Sequence, residues 1–165
     1  MFEGLKRVWD RIMTNKKYYQ SYFVPKNPKK CTNVRRGQQI FARSSWETRM
    51  FNWLDLNENV LEWGSEIVKV PYIFDVDQKL HNYIPDILCR IKENNNTIQV
   101  YLLEIKPQKQ TQPPKVPRNK TKKAVKNYAY AKQQYIQNQN KWKYAKSFCE
   151  GKKWKFRLVT EQNLF

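Results

Sequence analysis

From Ser44 onward the spacing of apolar residues names the elements in turn. Trp46, Met50, Trp53 and Leu54 fall at i, i+4, i+7 and i+8, one face of a helix that Asn57-Glu58-Asn59 ends. Val60 to Trp63 and Glu66 to Ile73 read as extended, with Gly64 as a bend or bulge between them. Asp75-Val76-Asp77 reads as a turn, and Tyr83 to Ile91 as a strand containing Pro85. Asn94-Asn95-Asn96 makes a polar turn before another strand, Ile98 to Lys106. Pro107, Pro113, Pro114 and Pro117 then break the pattern. A helix begins at Thr121, with Ala124, Tyr128, Ala131 and Tyr135 on one face. It weakens at Asn138-Gln139-Asn140, resumes with Trp142, Ala145 and Cys149, and stops at Gly151. Trp154, Phe156 and Leu158 alternate as a last strand. Short turns between successive strands imply antiparallel pairing, so the order predicts a mixed α/β domain built on a central sheet.

The first 43 residues lack this regularity. Residues 14–43 are polar, basic and interrupted by Pro25 and Pro28, the pattern of an arm or extended loop. Before them, Phe2, Leu5, Val8, Trp9 and Ile12 stand near helical spacing with Lys6, Arg7 and Arg11 between. This predicts a short amphipathic helix that packs on its own domain or a partner in preference to lipid.

Composition narrows the class. A chain of 165 residues has room for one ordinary domain, and 40% hydrophobic residues with 15% aromatics exclude general disorder. The longest aliphatic or aromatic run, Val100 to Leu103, is far too short for a membrane span, and charges near Met1 leave no signal-peptide core. Three widely spaced cysteines (Cys31, Cys89, Cys149) read as structural thiols. The lone His81 excludes a His-rich zinc site and argues against a His-dependent triad. The expectation is a reduced, soluble, intracellular protein with no small-molecule cofactor.

Charge changes the picture most. Residues 1–43 carry eleven Lys or Arg against two acids, residues 44–106 six against ten, and residues 107–157 fifteen against one. A mildly acidic middle is flanked by two basic segments, within a net charge of +18. Such flanks favour a polyanion through counterion release. Solvated faces that only keep the protein soluble are the plainer reading.

The acidic middle holds the candidate chemistry: Ile84-Pro85-Asp86 before one strand and Glu104-Ile105-Lys106 at the end of the next. Side chains alternate along a strand, so Glu104 and Lys106 share a face while Leu103 and Ile105 enter the core. If the neighbouring strand sets Asp86 beside Glu104 at the sheet edge, two carboxylates repel and a divalent cation relieves the repulsion. The Ile105 carbonyl oxygen is a further candidate ligand. Bound Mg²⁺ or Mn²⁺ polarises a phosphate oxygen and activates a water, which Lys106 can hold while stabilising the developing charge. The tripeptide alone says little, since Asp77/Lys79 and Glu150/Lys152 repeat it; its place after a run of strand formers singles out Glu104. Glu47 is a third candidate ligand, but Ser44-x-x-Glu47 equally matches a capping box in which Glu47 bonds the Ser44 backbone. Glu66 reads as an exposed strand acid, and His81 as surface or substrate-side.

Asp86 with Glu104-Ile105-Lys106 resembles the PD-(D/E)XK nuclease superfamily, which implies a mixed sheet flanked by helices. Longer segments sharpen this: Tyr22-Phe23-Val24-Pro25-Lys26-Asn27, Arg43-Ser44-Ser45-Trp46-Glu47, Trp63-Gly64-Ser65-Glu66, Glu104-Ile105-Lys106-Pro107, Thr111-Gln112-Pro113-Pro114, Lys141-Trp142-Lys143 and Lys155 to Glu161. In this order, over about residues 22–165, they resemble the head-completion nucleases of T-even-type tailed phages. The resemblance implies that Asp86 and Glu104 hold metal, that Lys106 assists the water, and that Glu47 stands where some members add a helix glutamate. It also implies action after DNA packaging, head or portal and neck proteins as partners, and a place in the host cytoplasm during assembly and in the virion head or neck.

The expected layout is therefore an N-terminal helix and basic arm (1–43) and a nuclease domain (44–165) with a basic Pro-rich loop (107–120). Lys109, Lys115, Arg118, Lys120, Lys122, Lys123 and Lys126 from the loop side, and Arg35, Arg36 and Arg43 from the arm, are the candidate DNA contacts. Tyr128, Tyr130 and Trp142 read as core in preference to base-stacking platforms. Two other readings share the basic flanks: a virion protein that binds the DNA end or portal without cutting, and a branched-DNA resolvase, which would require a symmetric dimer. Only cutting needs the acidic middle to converge.

Overall fold

The computed structural model describes residues 20–162. Its centre is a four-stranded sheet in the order β3-β6-β7-β8, formed by β3 (Val60–Ser65), β6 (Ile87–Lys92), β7 (Ile98–Ile105) and β8 (Lys155–Val159). The first three strands pair antiparallel, while β8 runs parallel to β7. A parallel return needs a long crossover. Here it consists of a short helix α3 (Gln108–Thr111), the Pro-rich stretch, and the long helix α4 (Lys122–Gly151).

Alternation along β7 builds two cores. Leu103 and Ile105 pack with Met50, Phe51 and Leu54 of helix α2 (Ser45–Leu56). Leu102 points the other way, into a cluster with Trp142, Ala145 and Cys149 of α4. Tyr72, Phe74 and Tyr83, from a separate hairpin of β4 (Val70–Phe74) and β5 (Lys79–Tyr83), close that second core. Thr121 caps α4 by accepting from the Ala124 amide at 3.2 Å, and the three cysteines are buried free thiols. No helix among the described residues is long and apolar enough to cross a membrane.

Several expectations need correction. The strand expected from Tyr83 to Ile91 is two strands, because Ile84-Pro85-Asp86 leaves the ladder between β5 and β6. Pro85 has no amide donor to lend and is buried in that connection. Gly64 lies inside β3 rather than at a bend. A Cβ there would meet the end of the Ile67 side chain at 2.6 Å and Asn33 Oδ1 at 3.2 Å, so a larger residue would require Ile67 to shift. Asn138-Gln139-Asn140 does not interrupt α4, because buried Asn140 donates to Asp75 Oδ2 at 2.6 Å and accepts from the Asp75 amide at 3.2 Å. Tyr130 is 67% exposed, not core; Trp142 is buried.

Residues 21–42, read as an arm, are folded. β1 (Ser21–Phe23) pairs with β2 (Ile40–Ala42), and a 3₁₀ turn (Pro28–Lys30) and helix α1 (Thr32–Arg35) lie between them. Cys31, Ile40 and Ala42 enter the first core. Buried Asp55 of α2 anchors the segment by accepting from the Lys26 amide at 2.7 Å and the Asn27 amide at 3.1 Å. These apolar residues are too sparse in sequence to form a periodic pattern. The helix expected near residues 2–12 lies outside the described residues.

Candidate active site

The pairing of β6 with β7 assembles the site. Ile87 stands opposite Leu103, so the next step of the antiparallel register carries Asp86 across from Glu104. The Ile105 amide donates to Asp86 Oδ2 at 2.6 Å, and the Asp86 carbonyl accepts from the Glu66 amide at 2.9 Å. Asp86 is thereby fixed by main chain on both sides. The pair sits at the ends of two interior strands, not at a lateral edge of the sheet, as the strand order requires.

Glu104 is a buried carboxylate, only 4% exposed, on the α4 face of β7. Its Oε2 accepts from the Tyr83 hydroxyl at 2.7 Å, and its Oε1 lies 3.0 Å from Lys106 Nζ. Burial, and then the Glu104 charge, push the Asp86 carboxyl above the usual carboxylate range, against the pull of the Ile105 amide and Lys106. For Lys106 burial is the largest influence and lowers its pKa, but Glu104 and Asp86 together hold the ammonium above the ordinary lysine value. Burial also pushes the Tyr83 phenol far up, and Glu104 adds to this.

The donor set suits a hard divalent cation. Asp86 Oδ1 has no hydrogen-bond partner among the described residues, and Glu104 keeps lone pairs beyond its two bonds. Two carboxylates are oxygen ligands of the kind Mg²⁺ takes while retaining several waters. Among the described residues no group of three or more His, Cys, Asp or Glu side chains gathers.

Glu47 accordingly does not join the pair. It caps α2, with Oε2 accepting from the Arg43 amide at 2.9 Å, Oε1 accepting from the Ser44 hydroxyl at 2.9 Å, and its own amide donating to Ser44 Oγ. The cap thus reaches the Arg43 amide rather than that of Ser44. Its charge is still felt at Asp86 and Lys106.

The basic candidates divide. Lys109, Lys115, Arg118, Lys120, Lys122, Lys123 and Lys126 lie exposed along α3, the Pro-rich stretch and the first turns of α4. Arg36 is exposed at the end of α1. Arg35 pairs with Glu62 of β3, and Arg43 forms a two-pronged pair with Glu66, so both already have carboxylate partners. His81 is held by Asp77 at 2.9 Å on the outer hairpin.

Tyr83 and Lys141 escape the sequence reading. Lys141 Nζ lies 5.7 Å from the centre of the Tyr83 ring, and burial lowers its pKa while Glu104 opposes the fall. A signal for Lys141 was available. It stands four and eight residues before Ala145 and Cys149, a lysine on an otherwise apolar helical stripe.

Residues 57–161 match the protein family described as TnsA-like endonuclease N terminal. The chain is also 37% identical over 148 residues to the head completion nuclease of Enterobacteria phage T4, across 88% of this chain and 93% of that protein.

Proposed function

This chain belongs to the family of TnsA-like endonucleases and the phage head completion nuclease, and from that premise we propose that it is a Mg²⁺- or Mn²⁺-dependent endodeoxyribonuclease that works on packaged DNA as the phage head is completed. One observation carries the reading: the β6–β7 register sets Asp86 across from Glu104, with the Ile105 amide on Asp86 Oδ2 and Lys106 Nζ on Glu104 Oε1. A protein that only binds DNA has no need to bear the repulsion of two acids held together at a strand end.

Asp86, Glu104 and the Ile105 carbonyl oxygen would hold the cation. When bound, it polarises a phosphate oxygen and lowers the pKa of a water. Lys106 supplies the fixed positive charge: its ammonium, turned toward the carboxylates, would donate to a phosphate oxygen and stabilise the negative charge that builds on the phosphoryl oxygens. Tyr83 holds Glu104 in one orientation, as groups beyond the ligands commonly do. The exposed lysines of the Pro-rich stretch and early α4 attract the DNA backbone without reading sequence. Head, portal or neck proteins are the partners this role calls for, in the host cytoplasm during assembly and then in the virion head or neck.

The test is cleavage of linear and supercoiled duplex DNA with Mg²⁺, Mn²⁺ or EDTA. Wild type should cut only with metal, and Asp86→Ala, Glu104→Ala and Lys106→Ala should each abolish cutting while remaining folded. Cleavage retained in all three would remove the proposed site. A folded wild type that binds DNA but never cuts would favour a structural virion role.

A further inference from the structure

Lys141 sets a cation beside Tyr83, the residue whose hydroxyl bonds Glu104. It is half-buried on α4, and its ammonium pairs with no carboxylate among the described residues. Its Nζ lies 5.7 Å from the centre of the Tyr83 ring, and the hydroxyl of that ring bonds Glu104 at 2.7 Å. A single tyrosine side chain therefore separates this ammonium from the Glu104–Lys106 pair. Lys106 is already matched to Glu104 at 3.0 Å, so part of its charge is spent within the protein. Lys141 is not matched. A half-buried charge without a counter-ion is partly desolvated, which costs free energy, and α4 could have removed that cost with any apolar residue on a stripe shared with Ala145 and Cys149. An anion arriving beside Lys141 would relieve it. The exposed Lys122, Lys123 and Lys126 at the start of the same helix make a DNA phosphate the anion that fits.

We propose that Lys141 contacts a phosphate of the strand being cut, as a second cationic group beside the carboxylate pair that binds the DNA backbone with the charge Lys106 cannot fully offer. The inference rests on the endonuclease reading for the identity of the strand, but the contact itself requires only DNA. Because α4 also carries Lys122, Lys123 and Lys126 in its first turns, Lys141 would join that basic surface to the carboxylate pair through one continuous helix.

Binding decides it without cleavage. In EDTA, fluorescence anisotropy on a short labelled duplex should show Lys141→Met weakening affinity about tenfold and lowering the slope of log K against log salt by about one. Lys141→Arg should recover most of the affinity. Lys92→Met is the control for charge alone, since Lys92 is exposed at the opposite end of β6 from Asp86. It should change affinity less than about twofold, as expected of a charge lying off the DNA path. Lys141→Gln is the second variant should methionine disturb packing, and circular dichroism checks that each is folded. With metal, kcat of Lys141→Met should fall by about 10²-fold at saturating DNA, as for loss of one donor to a developing charge. Affinity and salt slope equal to those of Lys92→Met would overturn the proposal. If wild type cuts with neither Mg²⁺ nor Mn²⁺ yet Lys141→Met loses affinity and slope as stated, the contact stands and the nuclease reading falls.

Discussion

The Tyr83 hydroxyl offers the sharpest separation of site from scaffold. Tyr83→Phe removes one oxygen and keeps the ring, so the packing of Tyr83 in the second core and its contact with Lys141 survive. What is lost is a 2.7 Å hydrogen bond to a carboxylate that is 4% exposed. Hydrogen bonds to charged groups contribute about 1.5–3 kcal/mol, and a buried acceptor left unmatched costs a similar amount. Water cannot readily reach Glu104 Oε2, but Lys106 still pairs with Oε1, so the expected loss is about 2 kcal/mol. For a chain of this size that corresponds to roughly 4–8 °C in Tm. Urea denaturation in EDTA measures it, with an unchanged m-value confirming that the native state is otherwise intact. The same substitution frees Glu104 to rotate, so calorimetric titration with Mn²⁺ should show affinity reduced by about 10–100-fold. Tyr101→Phe is the comparison. Its hydroxyl bonds the solvent-facing Glu93, and its loss should be smaller and leave metal affinity alone. A Tyr83→Phe loss below about 0.5 kcal/mol together with unaltered Mn²⁺ affinity would refute the reasoning, because the bond would then neither stabilise the fold nor hold the ligand.

Three further outcomes are expected. Asp55→Ala should destabilise by about 3 kcal/mol in chemical denaturation, because the Lys26 and Asn27 amides lose a buried charged acceptor; a loss under 1 kcal/mol would mean the β1–β2 segment is held some other way. For Glu62, burial alone would raise its pKa, but Arg35, Thr32 and Arg90 outweigh it and hold the carboxyl below its usual value. Its contribution is therefore present above pH 4.5 and lost as pH falls through the lowered value. The Tm gap between wild type and Glu62→Gln should be full at pH 7 and close below pH 4.5, and a gap independent of pH would refute this. Charge reversal at Lys120, Lys122 and Lys123 together should weaken duplex binding and flatten its salt dependence, whereas an unchanged slope would route the DNA elsewhere.

The boundary between what was written in the chain and what folding decided follows the reach of the interactions. Alternation around Leu102-Leu103-Glu104-Ile105 is local, so the face occupied by Glu104 was legible: a period of two leaves the carboxylate no choice once Leu103 and Ile105 are buried. The α2 cap was equally local, since Ser44 and Glu47 lie within one turn, and only the amide that Glu47 reaches differed. The mixed α/β architecture followed from the order of elements. The segment 21–42 was not legible, because Asp55 holds it from 28 residues away and a stretch so rich in Lys and Arg reads as solvated until that contact exists. The same holds for α4, where Asn140 should weaken a helix by local propensity and instead is kept by Asp75, 65 residues distant. The convergence of Asp86 with Glu104 needed the register of β6 on β7, and the arrival of Tyr83 and Lys141 needed the hairpin and α4 to close the second core. Local periodicity determines which way a side chain points; which groups it meets is set by contacts between distant parts of the chain, and in this protein those contacts make the site.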